Sequence, residues 1–493
     1  MEKESGKKLG GIALAALVVS AMIGGGVFSL PQNMAQSAAV MPIILAWIIT
    51  GVGIFFIANT FRILSCGCPE NTTGIYSYAR ACLGPFGGFQ MAWAYYLSNI
   101  FGNVGYAVLL MDAFNFFFPG VFTGGNNLWS ILGGSILIWG MNFTVLRGIH
   151  QAAFFNTVGT IFKLFPLLLF IVVLLFTFQM GVFTIDMWGQ ETLPAEHLKP
   201  LGSVFSQIKS TMLVTLWAFI GIEGAVVVSG RAKTPASVGR ATIAGFLICL
   251  VIYILLSVLP FGRMTQGTLA GLANPSSAPI LESIVGKWGG VIMNLGVIIA
   301  LLTSYLAFTI MIAQIPYAAA LDGTFPKIFR KENRFEAPSV SLFVTSSLMQ
   351  LAMIFVYFAG NAWNTMLSIT GVMILPPYLA STAYLWKRCV EDSEGRNPFF
   401  RGLFPLFCGM AGSFFVLWMI FSAGLKYLLM AFVFQAAGLL VYWQACREKR
   451  EDELQNGREI TPFLTRRERL FAFLIILVAV FAVIIFAAGK FKL

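Results

Sequence analysis

The chain is predicted to be an all-α polytopic membrane protein, and three observations carry that reading. Of its 493 residues, 58% are hydrophobic and only 11% are charged, where a soluble domain carries roughly a quarter charged residues. Apolar runs of about 20 residues, the helix length that crosses a bilayer's hydrocarbon, recur along the sequence. The runs are continuous instead of alternating. That excludes a β-barrel, the other structure that satisfies every backbone group in lipid. The first run leads into Gly and Pro without a small-residue cleavage site, so it reads as a span and not as a signal peptide.

Thirteen spans are predicted, at 12–35, 41–61, 86–110, 128–146, 157–178, 204–229, 239–260, 288–320, 339–358, 363–386, 405–423, 427–446 and 470–489. The basic residues test this count. Of the 32 Lys and Arg, 25 fall in alternate loops that share a side with the N-terminus, among them Arg62, Arg147, Arg240, Lys327, Arg388 and Arg447. The positive-inside rule then places the N-terminus in the cytoplasm, and the odd count places the C-terminus outside. An error of one span early in the chain would scramble the alternation. The net charge of +11 follows from this bias and calls for no nucleic-acid partner. The basic stretch 447–469 is mixed with acids and reads as a solvated loop near the anionic inner leaflet. The seven cysteines are scattered and read as reduced, small apolar residues. With only His150 and His197 present, no His-based metal site and no cofactor are expected.

Two spans carry breaks. Span 1 contains Gly24, Gly25 and Gly26 in series, which costs about 2–3 kcal/mol of helix propensity relative to alanine. Small residues there could serve as a close-packing face. Alternatively the segment is unwound at bilayer depth, freeing N–H groups toward an anion, which is tolerated only where backbone lines a cavity. Span 6 offers a matching interruption, with Gly221 and Gly224 flanking Glu223, the one acid deep in any predicted span. A carboxyl at that depth is costly and is a functional candidate, or else a protonated structural group. Two interrupted spans, the first and the sixth, mark a transporter built from two five-helix repeats, although no self-similarity is visible in the sequence. Span 3 adds Ser98, Asn99 and Asn103, the last two sharing a helix face; helix–helix bonding and substrate contact explain them equally well. Lys163, near the start of span 5, either snorkels to the surface or is buried as a fixed cation.

The segments GGGVFSLP at 24–31, GIYSYARACLGP at 74–85, TLWAFIGIEGA at 215–225 and AAALDGTFP at 318–326 resemble the amino acid–polyamine–organocation superfamily. Within it the chain looks most similar to the basic amino acid/polyamine antiporters, in particular those exchanging arginine for ornithine. The resemblance covers about residues 9–450. It implies a LeuT-type fold with inverted repeats at about 12–180 and 204–386, inside a transporter core of residues 1–446, with spans 11 and 12, the loop 447–469 and a further helix in 470–493.

It also implies roles for particular residues. The Gly24–Gly26 backbone binds the substrate's α-carboxylate. Carbonyls around Ala21, Met22 and Trp217–Ile220 take the α-amino group, with Ile23 in the same binding set. Trp217 covers the side chain, where a cation over the indole gains about 0.5–2 kcal/mol. Ser98, Asn99, Asn103 and Tyr106, with Phe308 and Thr370, match side-chain contact positions. Tyr95, Glu223 and Tyr378 match an inner gate, and Lys163 matches a lysine standing where other carriers bind sodium. The sequence departs from arginine/agmatine exchangers at Ala21, Gly25 and Phe308, where they have asparagine, serine and tryptophan, so the pocket is not identical and agmatine exchange is disfavoured; the match over residues 211–225 and the extra C-terminal span favour the arginine/ornithine subgroup.

The expected function is sodium-independent exchange of a cationic amino acid for a related amino acid or amine, by alternating access in a cell (inner) membrane. A homodimer is compatible with this. Proton-coupled symport or uniport of the same substrates is the alternative, as is antiport of lysine or histidine and their decarboxylation products. A membrane enzyme is disfavoured, since two histidines and one deep carboxyl supply almost no acid–base or nucleophilic material.

Overall fold

A computed structural model of the chain describes residues 11–68, 75–147, 152–190, 201–223, 235–392, 397–456 and 463–488. Gly224, His150 and His197 lie outside the described residues. The described residues are helices joined by turns, with no strand among them. Among the described residues, ten helices are long and apolar enough to cross a membrane. They correspond to ten of the thirteen predicted spans, and the first, fifth and sixth are the remainder. The fifth is the helix Ala152–Thr177, whose apolar stretch is Phe162–Thr177. The first is interrupted at its glycines, and the helix of the sixth stops at Ala218, which decides for the unwound reading.

In chain order, α1 is Gly11–Met22, α2 is Leu30–Ala35, α3 is Val40–Gly67 and α4 is Ile75–Asn115. Next come α5 at Leu128–Leu146, α6 at Ala152–Thr177, α7 at Val204–Ala218 and α8 at Pro235–Val258. Then follow α9 at Lys287–Leu321, α10 at Ser339–Phe355 and α11 at Ala362–Glu391. The last three are α12 at Leu403–Ser422, α13 at Leu425–Gln455 and α14 at Arg466–Ala487. Within α4, Gly84 at φ +78° interrupts the helix, and Pro85 restarts it at a position where a missing N–H costs nothing. The predicted start of span 3 at residue 86 is this restart.

One predicted boundary is corrected. The segment 447–469 is loop only in part, because α13 continues to Gln455. Arg447 pairs with Glu451 and Lys449 with Glu453, each four residues apart. Such pairs support a helix where no Gly or Pro ends it. Glu448 and Asp452 also engage Lys327, the first through its backbone N–H at 2.7 Å and the second through its ammonium. The helix α14 opens with a capping box, Thr465 and Glu468 bonding each other's backbone. It buries Ala472, Ile475, Ala479 and Ala482 on one face.

The chain divides into two compact units, each drawn from both halves of the sequence. The first consists of Met1–Cys82, Phe170–Leu272 and Pro377–Ser422. At its centre Phe219 packs on Trp47, Tyr253 and Phe246, with ring centroids 5.3–6.0 Å apart. Thr50 of α3 and Thr215 of α7 share a hydrogen bond of 2.7 Å. The second consists of Leu83–Leu169, Ala273–Pro376 and Ala423–Leu493. There Phe89 meets Phe325 and Tyr442 at about 5 Å. Asn142 of α5 donates to the Leu342 carbonyl and the Ser346 hydroxyl of α10. Neither unit coincides with a predicted repeat, because packing joins helices that are distant in sequence.

Candidate functional site

The first unit holds both broken helices. After Met22 the helix stops. Gly24 adopts an extended backbone, its N–H donates to the Met22 carbonyl at 3.0 Å, and a short 3₁₀ turn over Gly25–Ser29 leads into α2. The N–H groups that open a helical turn have no partner within it, so the run supplies donors at a buried place. In the other broken span, α7 stops at Ala218. The Phe219, Ile220 and Ile222 N–H groups each reach back three residues, the mark of a tightened, non-continuing turn.

The two breaks touch. Gly221 has φ +105°, and a Cβ there would lie 2.9 Å from the Ala21 carbonyl oxygen. Both its conformation and that approach require glycine. The indole of Trp217 lies directly over Gly26, so that any side chain at 26 would overlap the ring. The triple glycine is therefore both an unwound segment and a close-packing surface, two readings that the sequence set against each other. Glu223, 2% exposed, accepts from the Tyr378 hydroxyl at 2.9 Å and from the Gly221 N–H at 3.2 Å. The deep carboxyl is thus tied to the break and to α11. Ala21 is half-buried, and Met22, Ile23 and Ile220 are buried beside these groups.

The second unit gathers the predicted side-chain positions of span 3 on the unbroken part of α4. The Ser98 hydroxyl donates to the Thr370 carbonyl at 2.8 Å, and Thr370 packs against Gly102. The Asn99 amide donates to the Tyr95 carbonyl at 2.7 Å. The Asn103 amide donates to the Thr309 hydroxyl and the Met349 sulfur. Tyr106 meets Phe308 edge-on, with centroids 5.8 Å apart. Three polar atoms here are buried without a partner among the described residues: the side-chain oxygens of Asn99, Asn103 and Thr370. Buried polar atoms are ordinarily hydrogen-bonded, and each exception calls for a cause. Here two carboxamide acceptors and a hydroxyl stand ready for donors.

Lys163 is 1% exposed, so it is buried and does not snorkel. Tyr95 belongs to the second unit, whereas Glu223 and Tyr378 belong to the first. Sequence reasoning missed Thr309 and Met349 as partners of Asn103. It also missed Gln207, which accepts from the Ala39 N–H at 3.0 Å and donates to the Trp188 and Gly202 carbonyls. A glutamine in the first turn of an apolar span was the available signal.

Over residues 9–433 the sequence matches the amino acid permease family. The chain belongs to that family. The permease is 54% identical over 490 residues, 99% of each chain, to a protein named arginine/agmatine antiporter from Chlamydia abortus, and equally so to one from Chlamydia pneumoniae. A protein of the same name from Chlamydia trachomatis serovar L2 is 52% identical over 485 residues, 98% of each chain. These relatives are transporters by name. The permease is a multi-pass, all-α membrane protein with the interrupted first and sixth helices of the LeuT-type fold, as its superfamily resemblance implied.

Proposed function

We propose that this permease is a secondary active antiporter exchanging an arginine-type cationic amino acid for a related amine or amino acid by alternating access. The observation that carries the proposal is the contact of the two helix breaks, Gly221 on the Ala21 carbonyl with Trp217 over Gly26. It offers N–H donors for a carboxylate, carbonyls for an amino group and an aromatic face for a cation. The names of the relatives bring agmatine back as a counter-substrate, which the departures at Ala21, Gly25 and Phe308 had argued against.

Gly24, Gly25 and Gly26 are assigned to the carboxylate, and Ala21, Met22, Ile23 and Ile220 to the amino group. Trp217, Ser98, Asn99, Asn103, Tyr106, Phe308 and Thr370 are assigned to the substrate's side chain. Tyr95, Glu223 and Tyr378 are assigned to gating. Lys163, buried as a fixed cation, replaces sodium and makes exchange sodium-independent. No bond is made or broken. Each substrate lowers the barrier between states through its differing affinity for them. The N-terminus is placed in the cytoplasm of a cell membrane and the C-terminus outside, with inverted repeats at about 12–180 and 204–386.

The test is counterflow into proteoliposomes. Vesicles preloaded with agmatine or ornithine should take up labelled arginine without sodium, and empty vesicles should not. Equal uptake by both would replace antiport with uniport. Preloading with each compound separately assigns the counter-substrate.

A further inference from the structure

A mostly apolar cleft that carries two arginines lies wholly in the first unit, and transport gives it no role. Its volume is about 340 Å³, and its lining among the described residues is nine residues, none acidic, with Arg62 of α3 and Arg240 of α8 as its charges. Ile63, Phe399 and Phe404 are among its apolar walls. The aliphatic stem of Arg62 lies on Gly239, so a side chain at 239 would displace it. The Arg62 Nε is buried and bonds to nothing among the described residues. Among the described residues neither arginine forms an ion pair.

We infer that this cleft binds the phosphate of an anionic phospholipid, with its acyl chains running along the apolar face of the same unit. Two guanidinium groups without an acid form an anion site. The planar fork of arginine suits two phosphate oxygens at once. The volume is near the low end of ligand pockets, room for a headgroup but not for acyl chains. Those have a path. Phe399 and Phe404 are each nearly half exposed. One turn further along α12, Phe407 is 58% exposed and meets Phe56 edge-on at 5.3 Å. A free anion would use the arginines and leave this aromatic face idle. On the orientation proposed above, Arg62 and Arg240 face the inner leaflet, where basic pockets between spans meet anionic headgroups. The binding chemistry itself does not depend on that orientation.

The full-length permease is purified from vesicles of phosphatidylglycerol and phosphatidylcholine in equal amounts, and the retained lipid is counted by native mass spectrometry. Detergent removes any difference between leaflets, so the result is independent of topology and of transport. Wild type should retain phosphatidylglycerol over phosphatidylcholine by about tenfold. Arg62→Gln with Arg240→Gln should lose that preference. Arg447→Gln, a surface control, should keep it. An unchanged preference in the double variant, or none in wild type, overturns the assignment. If the double variant cannot be purified, wild type is titrated with inorganic phosphate. Release of the retained lipid at millimolar phosphate would make this a site for a free anion and overturn the lipid as its occupant. Retention at 100-fold excess supports the lipid.

Discussion

In the first unit the candidate binding surface is backbone, bared where α1 and α7 stop; in the second it is side chain, carried on a helix that runs unbroken from Pro85 to Asn115. The first is held by contacts that admit no side chain, with Gly26 under an indole and Gly221 on a carbonyl. The second is held by hydrogen bonds that use the donors of Ser98, Asn99 and Asn103 and leave acceptors over. Backbone N–H and C=O groups recognise what every amino acid has in common. Carboxamide and hydroxyl oxygens discriminate by what donors the substrate brings. Under the proposed function, the backbone of the first unit is assigned to the groups every amino acid shares, with Trp217 over the cation, and the acceptors on α4 are assigned to the side chain's donors.

The largest effects are expected where the backbone surface is closed. Gly26→Val should lower arginine exchange by about 100-fold, since overpacking costs roughly 1–3 kcal/mol and falls on the binding surface. Counterflow normalised to inserted protein checks this, and near-normal exchange would mean that Trp217 does not cover the substrate. Trp217→Ala should weaken arginine binding by up to about 30-fold, the value of a desolvated cation over an indole. A neutral substrate of the same carrier should lose much less, and equal losses would assign Trp217 to packing.

The second unit should respond more selectively. Asn103→Ala removes one free acceptor, and a hydrogen bond to a charged group is worth about 1.5–3 kcal/mol. Arginine affinity should fall about tenfold or more, read by isothermal titration. If affinity holds while thermal stability drops, Asn103 only joins α4 to α9 and α10. Tyr378→Phe should have the smallest effect on binding, within about threefold, because its hydroxyl meets Glu223 and not the assigned substrate groups. Exchange rate at saturating substrate should fall instead. A change confined to affinity would move Glu223 from the gate to the binding set.

Much of the fold was legible because lipid narrows the choices. Apolar length gave the spans, and glycine marked the two places where a break was one of the readings. Arg447 and Lys449 show where this failed. Their charges read as loop, yet α13 runs through them, since ion pairs four apart cost a helix nothing in water. Asn99 and Asn103 were legible as polar residues on one face. The free acceptor of Asn103 was not, because its donor goes to Thr309 and Met349, more than 200 residues away.

The sequence by itself determined that this is a multi-span membrane protein resembling amino acid permeases, that its first and sixth spans are weakened by glycine, and that Glu223 sits deep in the sixth. Those are consequences of local propensity and of the cost of polar groups in hydrocarbon, which act residue by residue. Only the tertiary structure decided that Gly26 lies under Trp217, that Gly221 rests on the Ala21 carbonyl, that Tyr378 meets Glu223 and that Lys163 is buried. The contacts join segments far apart in the chain, and the burial of Lys163 likewise follows from packing that no single segment encodes.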